Sequence, residues 1–221
     1  ITIAIIFCIL LYIAGLSYKI IGGALLIVIP LAVVFLFIVV QPDQKLIKSY
    51  QRNRIMAFLN SEDDEYSDAV NQQENSVMAI GSGQLTGKGL NNNEVASANK
   101  GNFVSENQTD FIFSVAGEEL GFIGCVAILL LLLLIIFECI RTSLRAKDTA
   151  GKIICCGVAS IVAVQGFINV AVVTKIMPNT GTPLPFVSYG LTSMVSLYIG
   201  MGLVLNVGLQ RYRTYREVEK S

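Results

Sequence analysis

The chain has 221 residues, 53% of them hydrophobic and only 14% charged, with 16 basic residues balancing 16 acidic ones. This composition lies far from the soluble average and points to an integral membrane protein. There is no His and no Trp, which excludes a Ser-His-Asp triad and any His-ligated metal, and no nucleic acid is expected as a partner.

The sequence opens at Ile1 inside an apolar run, with neither an initiator Met nor a basic leader. It reads as the C-terminal part of a longer protein. A bilayer core about 30 Å thick needs about 20 apolar residues as helix. Backbone polarity makes helix the default conformation in lipid. On that basis five membrane-crossing helices are expected, at about 1–16, 20–40, 111–137, 153–173 and 186–209, the first slightly short. The expected fold is all-α, a single membrane domain over 1–221 with one long loop at 41–110.

Orientation follows the collection of Lys and Arg in short cytoplasmic loops. Arg141, Arg145, Lys147 and Lys152 fall between the third and fourth helices, and Arg211, Arg213, Arg216 and Lys220 follow the fifth. Lys19 stands in the turn between the first two. Alternating helices put all three places on one side, so the C-terminus is expected in the cytoplasm and loop 41–110 outside. Within that loop, 45–59 has apolar residues near helical spacing among Lys45, Lys48, Arg52 and Arg54. It suits either a helix lying in the headgroup layer or a solvated helix packed on the protein. Residues 60–76 are polar and acidic and read as a flexible solvated stretch, the alternative being a carboxylate cluster that binds a cation. Cys8, Cys125, Cys139, Cys155 and Cys156 lie in or beside apolar runs without C-x-x-C spacing, and read as small buried hydrophobes.

Four places could carry chemistry. GSGQLTGKG at 81–89 fails the phosphate-loop pattern, which needs Gly where Ser82 stands and Ser or Thr where Gly89 stands. What is left is backbone able to take positive φ and approach a ligand closely at Gly87 and Gly89, with Lys88 as a point charge. Asp110 stands at the water–headgroup boundary before the third helix, where it either caps that helix or meets a lipid-linked substrate. Glu118 and Glu119 follow inside the helix, facing a polar cavity or pairing with a basic group. PNTGTPLPFVSYG at 178–190 packs three prolines into eight residues, giving a stiff non-helical segment that is either a corner or a cavity wall.

At these residues the chain resembles the SEDS family (shape, elongation, division and sporulation), which includes RodA, FtsW and SpoVE. The matching stretches are RNRIMAFLN at 52–60, MAIGSGQLTGKGL at 78–90, ENQTDFIFSVAGEELGFIG at 106–124 and PNTGTPLPFVSYG at 178–190. The resemblance implies a fold of about ten transmembrane helices, of which this chain is roughly the last half. It implies a peptidoglycan glycosyltransferase polymerising lipid II on the outer face of the bacterial cytoplasmic membrane, usually with a class B penicillin-binding protein, a transpeptidase. The family's essential aspartate matches Asp110. The chain departs from the common pattern at Ser105, Gln108 and Leu191, where the family has Pro, His and Gly.

The expected chemistry places Asp110 as general base. The substrate-binding residues are expected to be Glu106, Lys88, Gly87, Gly89, Thr180, Gly181, Pro183, Pro185, Ser188, Tyr189, Glu118 and Glu119. Lys88, Lys100 and Lys175 are the outward cations for the leaving group. No metal ligand set and no cofactor are evident, although a divalent cation (Mg or Mn) could share the charge. Membrane lipids and lipid II are the expected small partners. A lipid II flippase, or a scaffold that positions a transpeptidase, are the rival functions; loss of Asp110 discriminates, since a scaffold tolerates it.

Overall fold

Long uncharged runs punctuated by short polar turns leave the backbone little choice but to bond within helices. The computed structural model describes residues 2–17, 22–23, 30, 54–58, 67–90 and 109–218. Five helices are found there: α1 (Thr2–Ile13), α2 (Ser67–Ser82), α3 (Ile112–Leu144), α4 (Thr149–Val173) and α5 (Leu191–Val218). No strand occurs among the described residues, and residues 54–58 are also helical. Three segments are long and apolar enough to cross a membrane: Ile112–Leu144, Thr149–Val173 and Leu191–Gln210. The chain is thus an all-α, multi-pass membrane protein. The expected helix at 20–40 lies outside the described residues, apart from helical Gly22, Gly23 and Pro30, and so does most of 45–59.

α4 is the central element and touches each of the other four helices. It begins at Thr149, earlier than the expected 153, because Asp148 caps it, its carboxylate accepting from Gly151 N at 3.3 Å. α3 runs past the expected end at 137 to Leu144. There Arg141 pairs with Glu138 at 3.2 Å, and a cation in the last turn also suits the helix dipole. α5 starts only at Leu191 and continues beyond 209 to Val218. Pro183 and Pro185 withhold backbone donors just before it, and Phe186 sits at φ +62, so the chain cannot enter a helix at 186.

Two differences from the expected fold matter for the site. First, α3 is broken at Gly121 (φ 66, ψ −166). The unbroken part of α3 is therefore residues 122–144, about 35 Å at 1.5 Å per residue. Glu118 and Glu119 stand at the break, on a short helical lead-in, and not two turns inside a continuous span. Second, the second half of the supposedly flexible stretch 60–76 is helix α2. It is held on the carboxyl end of α4, whose last carbonyls have no partner within their own helix. Gln73 Nε2 donates to Val172 O at 3.0 Å and Met177 O at 2.9 Å, and Ser76 Oγ donates to Val173 O at 3.0 Å. Both side chains are buried, so hydrogen bonds fix a largely polar helix whose apolar contribution to the core is small, Ala79 and Ile80.

Candidate functional site

Two chain corners meet at the amino end of α3. Phe111, fully buried, anchors the first corner in the core that also holds Leu184 of the second. Phe111 is itself the N-cap of α3, with no side-chain cap bond. The cap position considered for Asp110 is therefore taken by another residue. Two buried polar side chains tie the corners together. Asn169, 1% exposed, donates from Nδ2 to Asp110 O at 2.7 Å and to Thr182 O at 2.8 Å. Ser188 Oγ donates to Thr109 O at 2.6 Å while accepting from Leu184 N at 2.7 Å. Both ties use backbone atoms of 109–110 and fix the main chain from which the half-buried Asp110 side chain projects.

Above this joint, Gly181 turns with φ +67. A Cβ built there would lie 2.9 Å from Arg54 Nη1 and 3.3 Å from Asp110 Oδ2. The glycine leaves room that two charged groups occupy. Its N–H donates to Asn179 Oδ1 at 3.1 Å, and Asn179 Nδ2 reaches Gln72 Oε1 of α2 at 3.2 Å. α2 thus supports the proline-rich corner as well as α4.

The glycine-rich loop forms a second cluster at the break in α3. The break frees backbone groups, and the loop takes them up. Lys88 N donates to Glu118 O at 2.9 Å and Gly89 N to Glu119 O at 3.1 Å. In return Phe122 N donates to Gln84 O at 2.9 Å and Ile123 N to Leu85 O at 3.2 Å. The close approach that glycine permits is made here by Gly87 and Gly121, main chain against main chain. Lys88 Nζ also pairs with Glu118 Oε1 at 3.0 Å, with side-chain exposures of 28% and 5%. Removing the cation strands much of the charge of a buried carboxylate. Lys88→Ala is therefore expected to cost about 3 kcal/mol, and Glu118→Gln clearly less because Lys88 can reach water. Melting temperatures of the two variants check this; equal losses would contradict it.

The expected site residues thus fall into two groups. Asp110, Gly181 and Ser188 share the joint, with Pro185 buried beside it and Pro183 half-buried. Thr180 is exposed and its Oγ1 meets Thr182 Oγ1 at 3.1 Å; Tyr189 is 78% exposed. Gly87, Lys88, Gly89, Glu118 and Glu119 belong to the break in α3. Lys175 is engaged with Glu74 at 2.7 Å. Glu106 and Lys100 lie outside the described residues. Among the described residues no three His, Cys, Asp or Glu side chains stand together as a metal cage.

Arg54 and Asn169 were not singled out from sequence. Asn169 carried a usable signal, as a lone polar amide near the end of an uncharged membrane run. Asn169→Leu is expected to cost about 2–4 kcal/mol, since two part-buried carbonyls lose their buried donor. Asn169→Asp, which keeps the shape but turns acceptors toward those carbonyls, should be at least as damaging. A thermal shift measurement in detergent decides; an Asp variant as stable as wild type would remove the amide's donor role.

Comparison with known proteins gives a consistent result. A family model described as Cell cycle protein, that of FtsW, RodA and SpoVE, matches residues 1–213. "Probable peptidoglycan glycosyltransferase FtsW" of Geobacter metallireducens is 34% identical over 198 residues, 90% of this chain and 49% of that protein. "Peptidoglycan glycosyltransferase MrdB" of Escherichia coli is 34% identical over 201 residues, 91% of this chain and 51% of that one. "Stage V sporulation protein E" of Bacillus subtilis is 40% identical over 166 residues, covering 75% and 42%. The chain spans about half the length of the curated relatives it matches. A solved structure described as "Structural coordination of polymerization and crosslinking by a peptidoglycan synthase complex" matches with a TM-score of 0.67 at 25% identity, over 92% of this chain and 53% of that one.

Proposed function

The chain belongs to the FtsW, RodA and SpoVE family, and on that premise we propose that it acts in a peptidoglycan glycosyltransferase that polymerises lipid II at the outer face of the bacterial cytoplasmic membrane. The observation that carries this reading is that Asp110 is held by its main chain at the joint of the two corners, with its carboxylate against the open face of Gly181. Relatives of this chain named as peptidoglycan glycosyltransferases support the same chemistry.

In this reading Asp110 takes the proton of the 4-hydroxyl of one lipid-linked GlcNAc. The oxygen then forms a bond to the anomeric carbon of the MurNAc of a second molecule. The bond from that carbon to the undecaprenyl diphosphate breaks, and the leaving group keeps the electron pair. One displacement turns an α-linked donor into a β-1,4 product. The joint between corners supplies orientation, and the bilayer keeps the lipid tail. A single carboxylate with substrate phosphates is an ordinary Mg or Mn setting, so a divalent cation bound with substrate would add charge stabilisation without a dedicated cage.

Loop 41–110 and residues 174–185 would face outward and the C-terminus inward, following the basic loops. A transpeptidase of the class B penicillin-binding type is the proposed partner, supported by the synthase complex among the structural relatives. The flippase reading drew on Glu118 and Glu119 inside a helix; the Lys88 pair and the loop at the break give these residues structural work instead.

The test uses the full-length protein purified with its cognate transpeptidase and given lipid II. Wild type should make glycan polymer and Asp110→Ala should make none while staying folded. A folded Asp110→Ala that polymerises normally would turn the reading toward the scaffold or flippase.

A further inference from the structure

Arg54 comes from a helical segment far upstream of Asp110 in sequence, is half-buried, and brings its guanidinium to the face of Gly181 that also meets Asp110 Oδ2. A Cβ at Gly181 would be 2.9 Å from the first group and 3.3 Å from the second, so both charges share the space that the missing side chain opens. Opposite charges so placed attract, and hydrogen bonds between them are of the strong, charge-assisted kind. A guanidinium is a planar fork of donors that fixes the direction of a carboxylate, which a lysine ammonium does not.

Of the other cations considered for this region, Lys88 pairs with Glu118 and Lys175 with Glu74, and Lys100 lies outside the described residues. The stretch of α4 from 153 onward brings no charged residue to the joint. Gly181 cannot drift from the pair, because Asn179 holds its N–H and Asn169 holds the carbonyl of Thr182.

We propose that Arg54 is a positioning residue for Asp110: its guanidinium holds the carboxylate in the orientation for proton abstraction, and Gly181 is the position that leaves room for the two. The inference rests on the reading of Asp110 as general base and adds to it the residue that aims the base.

The experiment measures steady-state polymerisation of lipid II by the full-length protein with its cognate transpeptidase. Arg54→Ala is expected to lower kcat about ten- to a hundredfold, as small misplacements of a reacting group do, with KM within about twofold of wild type. Arg54→Lys should fall between the two, since charge remains and the fork is lost. Gly181→Ala should lower kcat strongly in the wild-type background and much less in Arg54→Ala, where there is no guanidinium for the new methyl to displace.

Three results would overturn the proposal: wild-type kcat in folded Arg54→Ala; a loss confined to KM, which makes Arg54 a contact to the substrate's anion; or fully additive Gly181 and Arg54 effects. If Arg54→Ala does not fold, Arg54→Lys decides, and a wild-type kcat there overturns it. Asp110→Ala run in parallel separates the two levels. An inactive Asp110→Ala beside a normal Arg54→Ala sinks this proposal alone, whereas a normal Asp110→Ala sinks the reading it rests on.

Discussion

Asp110→Asn is expected to lower lipid II polymerisation by about 10²- to 10⁴-fold, the range a positioned general base contributes, while the protein melts within a few degrees of wild type. The amide keeps the volume and shape of the carboxylate but cannot take up the proton of a sugar hydroxyl. The fold should tolerate the change because main-chain ties hold this corner whether or not Arg54 faces a charge. Asn169 grips the carbonyl of Asp110, Ser188 grips the carbonyl of Thr109, and Phe111 serves as the N-cap. Asp110→Glu keeps the carboxylate and moves it by one methylene, so an intermediate rate is expected, with the loss in kcat rather than KM. Rates and melting curves on the same preparations check both halves. An Asp110→Asn protein that is destabilised by several kcal/mol would make the side chain a structural element. An undiminished rate would remove it from the chemistry.

What could be read from the sequence depended on whether the cause was local. α4 and the outer parts of α3 and α5 come from runs of about 20 residues with almost no charge, and a bilayer leaves such runs one conformation. The break at Gly121 could not be read in this way. Its glycine looks like any small residue in an apolar helix, and the groups it frees are satisfied by a loop some thirty positions upstream. α2 was hidden for a similar reason. SDAVNQQENSVMAIGS has the composition of a solvated stretch, and what helps order it is the carboxyl end of α4 and the turn after it, reached by Gln73 and Ser76 across 97 to 104 positions of chain.

The site divides along the same line. Asp110 was legible because position alone, a carboxylate at the head of a membrane helix, makes it either a cap or a reactive group. Only the structure shows that Phe111 takes the cap position. Arg54 was not legible, since in sequence it is one of several bases spaced along a surface-type helix. The proline-rich corner was recognisable as non-helical, yet the helix that follows it was placed five residues early. Pro183 and Pro185 forbid helix directly, but the Ser188 bridge to Thr109 that extends the loop to Gly190 is tertiary.

Gly121→Ala is expected to be among the most damaging small substitutions at the described residues, with a loss of about 4 kcal/mol or more, the range reserved for changes that a fold cannot absorb. Two independent causes act at this residue. Its backbone, at φ 66 and ψ −166, lies in a region that is essentially restricted to glycine. A Cβ there would also stand 2.7 Å from the carbonyl carbon and oxygen of Leu85, and closer still to Gly87 N. These are main-chain atoms locked by the reciprocal bonds of 84–89 with 118–123, so no side chain can rotate away to make space. Gly81→Ala is the matched control: it lies in α2, with nothing within 4 Å of its Cβ, and alanine there should be neutral or stabilising by up to about 1 kcal/mol. Melting temperature and trypsin cleavage at Lys88 read the outcome, because a loop expelled from the break presents that lysine. Wild-type stability in Gly121→Ala would mean that α3 runs straight through this point. The loop would then have to find other partners, and the support that the break gives Lys88 and Glu118 would go with it.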